Sequence, residues 1–236
     1  MALQLPADAA RDDSLVADLS EDTIGISTGF TGASVLLFGA TDGEGDVAIV
    51  VRAPNSSVVV RRKERIAGIW VNADELTFDD APGFYHVAAS RPLDDLLPKG
   101  ILEANEIGVA NIAFSPHDFL SDSDEEAFRA ALVRNKQRAG LYSETTGDIS
   151  FRGDRLFRTR LELPANVPTG QYDVSVYLIE DGSIVDWSSS SLVVEKVGFE
   201  AKLTEFAFEQ APLYGIIAIL IALFAGWFAG FVFRKV

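Results

Sequence analysis

The chain has 236 residues, no cysteine, and 35 acidic against 20 basic side chains, which give a formal net charge of −15. The absence of cysteine excludes disulfides, a thiol nucleophile and a cysteine-based metal site. An acidic surface repels nucleic-acid phosphates, so binding to DNA or RNA is not expected, and the length suffices for one substantial core.

The N-terminal part of the chain predicts a short leader followed by strands. Residues 1–14 have no apolar periodicity and predict a flexible leader. Apolar residues then alternate over 24–28, and residues 33–41 and 47–51 are short apolar runs. A Gly/Asp-rich break separates the last two runs and is typical of a hairpin loop, so we expect these runs to pair.

A basic cluster follows in an otherwise acidic chain. Residues 57–65 and 66–72 predict two strands, and on a strand Arg61, Lys63 and Arg65 share one face. Guanidinium groups bind oxyanions bidentately, so these three residues are a candidate anion-binding site. The alternative is a solvated strand face whose cations pair with neighbouring acids.

Over residues 92–140 the apolar residues no longer alternate as in a strand, and this change predicts a helical insertion. Ser121 provides an N-cap oxygen, the carboxylates that follow it favour the positive end of a helix dipole, and Gly140 ends the helix. Strands resume at Ile149. Residues 172–178 alternate, and Asp181-Gly182 predicts a two-residue hairpin turn. Residues 183–187 predict the returning strand, and residues 192–197 predict the last strand.

The tyrosine-bearing strand supports an immunoglobulin-like interpretation. The run Pro168-x-Gly170-x-Tyr172-x-Val174 is similar to the strand that carries the conserved tyrosine of such sandwiches. We therefore expect residues 15–198 to form a mainly β domain, an immunoglobulin-like β-sandwich with the helical insertion at about 92–140.

The C-terminal region predicts a membrane anchor. Residues 213–233 contain no charged side chain and would form a helix of about 31 Å, close to the thickness of the hydrocarbon core of a bilayer. An amphipathic juxtamembrane segment, 199–212, precedes this helix, and a basic tail, 234–236, follows it. Small residues recur every four positions and predict helix packing in the membrane: Ala218, Ala222, Gly226 and Gly230.

Two observations on topology conflict. Arg234 and Lys235 follow the anchor, which predicts a cytoplasmic C-terminus and a periplasmic domain in the bacterial inner membrane. Export requires an N-terminal signal, and Met1 begins a polar stretch without an apolar region. Either the signal lies upstream of this start, or it has been removed, or the protein is tail-anchored with a cytoplasmic domain. We favour the exported interpretation.

Histidine chemistry has little support in the sequence. His86 and His117 are the two histidines, and His117 lies next to Asp118, which could suggest a metal ligand or a base. Neighbouring residues on a strand point to opposite faces. We therefore predict no catalytic residue, no metal site and no cofactor.

Several segments together resemble a family of uncharacterised transmembrane proteins from alphaproteobacteria. They include residues 26–33 (ISTGFTGA), 61–72 (RRKERIAGIWVN) and 225–230 (AGWFAG), and the resemblance extends from about Leu15 to Lys235. It implies an exported domain with one C-terminal span, encoded near permeases of the sulfite exporter (TauE/SafE) type. This association suggests a membrane partner and does not indicate an activity, and the family has no established catalytic residues.

These observations predict a non-enzymatic, single-pass accessory protein of the bacterial envelope. The lipid bilayer and a multi-pass permease, or a second copy of the chain, are the expected partners. One alternative is an envelope module that binds a small anion or a metal, and a less favoured one is a hydrolase.

Overall fold

The computed structural model describes residues 14–66, 68–118, 121–198, 208 and 211–233. The chain divides into two compact units, one of residues 1–24 and 30–194 and the other of residues 25–29 and 195–236. With 49% strand and 24% helix, the predicted fold class is confirmed: the protein is mainly β, with a helical insertion and one apolar C-terminal helix.

The described chain contains twelve strands, four α-helices and a 3-10 turn. In chain order they are β1 (Leu15–Leu19), β2 (Thr23–Ile26), β3 (Gly32–Thr41), β4 (Asp46–Arg52), β5 (Asn55–Ile66), β6 (Ile69–Pro82), β7 (Tyr85–Ala89), α1 (Leu93–Leu96), α2 (Lys99–Ala104), the 3-10 turn (Val109–Asn111), α3 (Asp122–Arg138), β8 (Gly147–Asp148), β9 (Ser150–Arg152), β10 (Leu156–Pro164), β11 (Gly170–Glu180), β12 (Ser183–Lys196) and α4 (Ala211–Phe233).

These strands form two larger sheets and a ribbon. One sheet has the order β1-β3-β10-β9, the second has the order β2-β12-β11-β4-β7-β8, and β5 pairs with β6 in a two-stranded ribbon. Alternate residues are buried along β10, where Phe157 and Leu161 belong to the core, and along β11, where Tyr172 and Val174 do. This period of two is that of strands with one face in the core.

The helical insertion lies between β7 and β8, as expected. Ser121 is the N-cap of α3, and its hydroxyl accepts a hydrogen bond from the amide of Asp124. Phe128 and Leu132 of α3 are buried in a cluster that also contains Leu96 and Leu102 from the shorter helices. The insertion therefore closes one part of the core and is not a detached loop.

Two local predictions were wrong. The runs that we expected to form a hairpin around residues 42–46 are strands β3 and β4, but these strands belong to different sheets. Residues 183–187 and 192–197, which we expected to form separate strands, belong to the single strand β12, because cross-strand pairing with β11 continues through the serines between them.

Other predictions are confirmed locally or stay predictions. Asp181 and Gly182 have φ of 47° and 75° and connect β11 to β12 as the predicted two-residue turn. The Tyr172 hydroxyl donates to the Pro168 carbonyl at 2.6 Å, a bond like the tyrosine corner of immunoglobulin-like domains, whose topology stays a prediction here. The leader before Ser14 and most of the 199–212 segment lie outside the described residues.

Candidate functional site

The ribbon of β5 and β6 is attached to the core at one end, which we call the ribbon base. Val60, Leu76 and Phe78 on one face of the ribbon are buried in the same cluster as Phe128 of α3. Phe78 also contacts the ring of Phe114 edge-on, with ring centroids 5.7 Å apart. These contacts fix the base against the helical insertion.

Arg62 marks the point where the ribbon leaves the core. Its guanidinium donates to Asp74 across the ribbon at 3.1 Å and to Asp124 of α3 at 2.8 Å. It also lies over the ring of Phe128, 5.3 Å from the ring centroid. Hydrogen bonds to the two carboxylates raise the pKa of Arg62, and Arg62 lowers the pKa of Asp124. Because Arg62 binds an acid on β6 and another on α3, its side chain connects the ribbon to α3.

The three cations of the candidate anion site lie on one face of β5, but they differ in their partners. Arg61 is exposed and donates to Glu75 at 2.9 Å. The Arg65 side chain donates to the carbonyl of Gly68, and within the described part of the chain neither Lys63 nor Arg65 forms an ion pair. Arg61 thus shows the pairing that the alternative interpretation expects, whereas Lys63 and Arg65 remain open to an anion.

Beyond Arg62 the ribbon continues to a tip, described at residues 63–66 and 68–72, which we call the ribbon tip. A bulge offsets the register at this point, because Arg62 pairs with Asp74 and Lys63 pairs with Asn72. The exposed fractions of Ile69, Trp70 and Val71 are 69%, 66% and 37%. Large apolar side chains therefore lie in solvent at the end of the hairpin, next to two cations that form no ion pair with a described residue.

Helix α4 is the second candidate site. Its residues Ala211–Phe228 have a mean hydropathy of 2.1, and none of these residues is buried against the other described residues. By length and composition this helix can cross a bilayer. Phe224 contacts Trp227 and Phe228, with ring centroids 6.1 and 6.3 Å apart, on the helix surface away from the small residues.

The small-residue positions of α4 are open. Ala218, Ala222 and Gly226 are exposed, and a Cβ atom placed on Gly226 would meet no atom within 4 Å. Gly230 lies one turn further along the same helix. At 100° per residue these four positions fall on one side of the helix, so a neighbouring helix could approach closely there.

The two histidines lie in different environments and contact different partners. The Nδ1 atom of His86 lies 3.2 Å from the Ser143 hydroxyl, and burial lowers the pKa of His86. His117 contacts Asp79 at 2.8 Å instead of pairing with Asp118, and the Asp79 carboxylate raises its pKa. Among the described residues no group of three or more His, Asp or Glu side chains could hold a metal ion.

A mainly β domain followed by a single candidate membrane helix defines a membrane-anchored β protein. The chain belongs to the family described as "Putative transmembrane protein (Alph_Pro_TM)", whose profile matches residues 14–235. The family resemblance inferred from the sequence is therefore confirmed. No curated protein matches the chain significantly.

Solved structures add only a distant similarity. The sporulation control protein Spo0M from Bacillus subtilis matches with 11% sequence identity and a TM-score of 0.28, over 84% of this chain and 55% of that protein. This chain thus spans about half the length of Spo0M. A similarity of this size supports no functional argument.

Sequence reasoning missed two parts of the ribbon. It found Arg61, Lys63 and Arg65 but not Arg62, whose partner Asp124 is distant in sequence and could not be found by local spacing. It also assigned no role to Trp70. Three consecutive apolar residues after Gly68 at a hairpin turn were the available signal, because turns are normally polar.

Proposed function

We propose that the protein is a single-pass, non-enzymatic accessory protein of the bacterial inner membrane. In this proposal α4 crosses the bilayer, the β domain is periplasmic and the C-terminus is cytoplasmic. The small-residue face of α4 packs on a multi-pass permease of the sulfite exporter type, or on the α4 of a second copy. The observation that carries the proposal is this open face on an apolar helix.

Membrane physics supports a helix partner. Transmembrane helices and acyl chains are both apolar, so the hydrophobic effect does not drive helices together in lipid. Helices associate there through close backbone packing and van der Waals contact. Glycine and alanine permit that approach, and beyond the local backbone of α4 no described atom lies within 4 Å of a Cβ placed on Gly226. The aromatic rings of Phe224 and Trp227 lie on other sides of the helix, where they can contact lipid.

Bulky substitutions on the small-residue face test the partner. Gly226→Leu with Gly230→Leu should abolish co-purification of a permease, or of a tagged second copy, from mildly solubilised membranes. Leu220→Phe is the matched control, because it adds bulk on the opposite side of α4 and should leave co-purification intact. Recovery of only monomer from the unmodified protein would contradict the proposal.

The proposed topology has its own test. The chain has no cysteine, so Val185→Cys introduces a single thiol at an exposed position of β12. A membrane-impermeant thiol reagent should label this cysteine in cells with a permeabilised outer membrane and an intact inner membrane. Labelling that requires lysis of the inner membrane would place the domain in the cytoplasm and overturn the periplasmic assignment.

Anion binding by the domain is a second candidate, favoured by the lack of a carboxylate partner on Lys63 and Arg65 among the described residues. Its weakness is that Arg61 already pairs with Glu75. Calorimetry of the full chain with sulfite, sulfate and phosphate tests it. Heat that disappears in Arg61→Ala/Arg65→Ala supports binding, and the absence of heat with all three anions contradicts it.

A further inference from the structure

The ribbon tip exposes apolar side chains that folding does not require. Ile69, Trp70 and Val71 lie beyond the last buried pair of the ribbon, Val60 and Leu76. No described residue covers them. A cluster of large apolar residues on a projecting element marks an interaction surface and not a part of the core.

Both faces of the tip are exposed at once. Neighbouring residues on a strand point to opposite faces, so Trp70 lies on the face of Arg65, its cross-strand partner, and Val71 lies on the other face. A rigid protein groove would have to enclose the hairpin from two sides to cover these residues. A fluid interface surrounds an inserted hairpin without that requirement.

The tip carries two cations, Lys63 and Arg65, and one acid, Glu64, so its net charge of +1 is opposite in sign to that of the whole chain. Lys63 and Arg65 have no ion-pair partner within the described ranges, whereas Arg61 and Arg62 are paired with acids at the base. The whole chain carries a net charge of −15 and would be repelled by an anionic surface. The tip is therefore one part of this domain that such a surface attracts.

The length of the tip separates its end, with Arg65 and Trp70, from the acidic domain. Beyond Arg62 each strand continues for four residues, Lys63 to Ile66 on β5 and Ile69 to Asn72 on β6. Four residues of strand span about 13 Å, which exceeds the Debye length of about 8 Å at physiological ionic strength. Salt thus screens most of the repulsion that the domain would impose on contacts at the tip.

We propose that the ribbon tip inserts into the headgroup region of a bilayer that contains anionic phospholipid, the same bilayer that α4 crosses. Tryptophan prefers the interface between water and acyl chains, Ile69 and Val71 contribute apolar contact, and Lys63 and Arg65 attract anionic headgroups. The 14 residues between β12 and α4 reach at most about 50 Å, so the domain always remains near this bilayer. The contact is a second attachment of the domain, independent of any permease.

The absence of cysteine allows a direct depth measurement. Ile69→Cys in the full-length protein is labelled with an environment-sensitive fluorophore and reconstituted into vesicles of phosphatidylglycerol and phosphatidylcholine with nitroxide-labelled lipid. We expect a blue shift and several-fold stronger quenching than for the same label at Val185→Cys, which is 51% exposed on β12. Lys63→Glu/Arg65→Glu should remove most of this quenching, and free inorganic phosphate should not.

Three results would overturn the proposal. The first is an Ile69 label that is quenched no more than the Val185 label in the anionic vesicles. The second is equal quenching in pure phosphatidylcholine, which would remove the role of the anionic headgroup. The third is disulfide cross-linking between two unlabelled Ile69→Cys chains in place of lipid quenching, which would assign the tip to a second copy. Flotation of every variant with the vesicles checks that α4 remains inserted, so a loss of quenching is not a loss of the anchor.

Discussion

The base and the tip of the ribbon belong to the same two strands, yet different forces hold them. At the base, Val60, Leu76 and Phe78 are buried against the helical insertion, and Arg62 bridges to Asp124 of α3. At the tip, cross-strand hydrogen bonds continue as far as the Ile66 and Ile69 pair, but the side chains of Ile69 and Trp70 lie in solvent.

This contrast distinguishes the side chains whose burial stabilises the fold from the side chains that the fold does not bury. Burial of apolar area stabilises the base by removing side chains from water, whereas the tip removes little apolar area from water within the chain. Substitutions at the base should therefore change stability, and substitutions at the tip should change only contacts outside the chain. The predictions below test that division, from the largest expected effect to the smallest.

The largest effect is expected at the base. Phe78→Ala removes a ring that is almost fully buried against Phe114 and should lower the free energy of unfolding by about 3–5 kcal/mol. Urea denaturation of the detergent-solubilised protein, followed by far-UV circular dichroism, measures the change. Val59→Ala, on the opposite exposed face of β5, is the control and should change it by less than about 0.5 kcal/mol.

A smaller effect is expected at Tyr85, next to the ribbon in the same core cluster. Its hydroxyl donates to the Glu106 carbonyl at 2.7 Å and accepts from the Gly108 amide at 2.8 Å. Tyr85→Phe leaves the buried amide of Gly108 without its partner and removes one of the two hydrogen bonds that the Glu106 carbonyl accepts, the other coming from Arg52. The substitution should cost about 1–3 kcal/mol in the same denaturation experiment. Tyr177→Phe is the control, because that hydroxyl makes no hydrogen bond to a described residue, and an equal loss in both variants would contradict the argument.

The contrast between buried and exposed groups extends to the two histidines. Burial lowers the pKa of His86 from its ordinary value of 6.5, so its contribution to stability is present above pH 6.5 and is lost as the pH falls through the folded pKa. Asp79 raises the pKa of His117, so that contribution is present below pH 6.5 and is lost as the pH rises through the folded pKa.

Thermal unfolding between pH 5 and 8 distinguishes the two histidines. His86→Gln should reduce the loss of stability on acidification. His117→Gln should act in the opposite direction and by less, because that histidine is exposed and its ion pair is screened. The same pH profile in both variants would show that neither local environment controls the titration.

The smallest effect on stability is expected at the tip. Trp70→Ser should change the free energy of unfolding by less than about 0.5 kcal/mol, because the side chain is 66% exposed and makes no core contact. Chemical denaturation beside Phe78→Ala provides the comparison. A loss as large as that of Phe78→Ala would mean that the tip belongs to the cooperative core and would remove the division between tip and base.

The pattern of neighbouring residues predicted those strands, turns and helices whose formation depends mainly on neighbouring residues. Alternation identified β10 and β11, the Asp181-Gly182 turn followed from the positive φ that such a turn requires, and Ser121 marked the start of α3. Length and apolar composition identified the membrane helix α4. In each case neighbouring residues carry the necessary information.

Features that depend on distant residues could not be predicted in this way. Whether β3 pairs with β4 is decided by the sheet that each strand joins and not by the loop between them. β6 extends to Pro82 through two acids because Asp79 accepts from His117, and Asp80 accepts from the amide and hydroxyl of Ser115. The candidate site shows the same limit, since the basic cluster was visible in sequence while the partners of its arginines were not.

The register offset between Arg62 and Lys63 leaves Ala73 of β6 without an opposite residue. Such a bulge increases the local twist and interrupts the ladder, so a change of length beyond it need not disturb the pairing on the near side. Evolution could therefore lengthen, shorten or recode the end of this hairpin while the folded domain stays intact. We expect insertions and deletions within the family to concentrate between Lys63 and Asn72, and the domain to tolerate a graft of foreign sequence there.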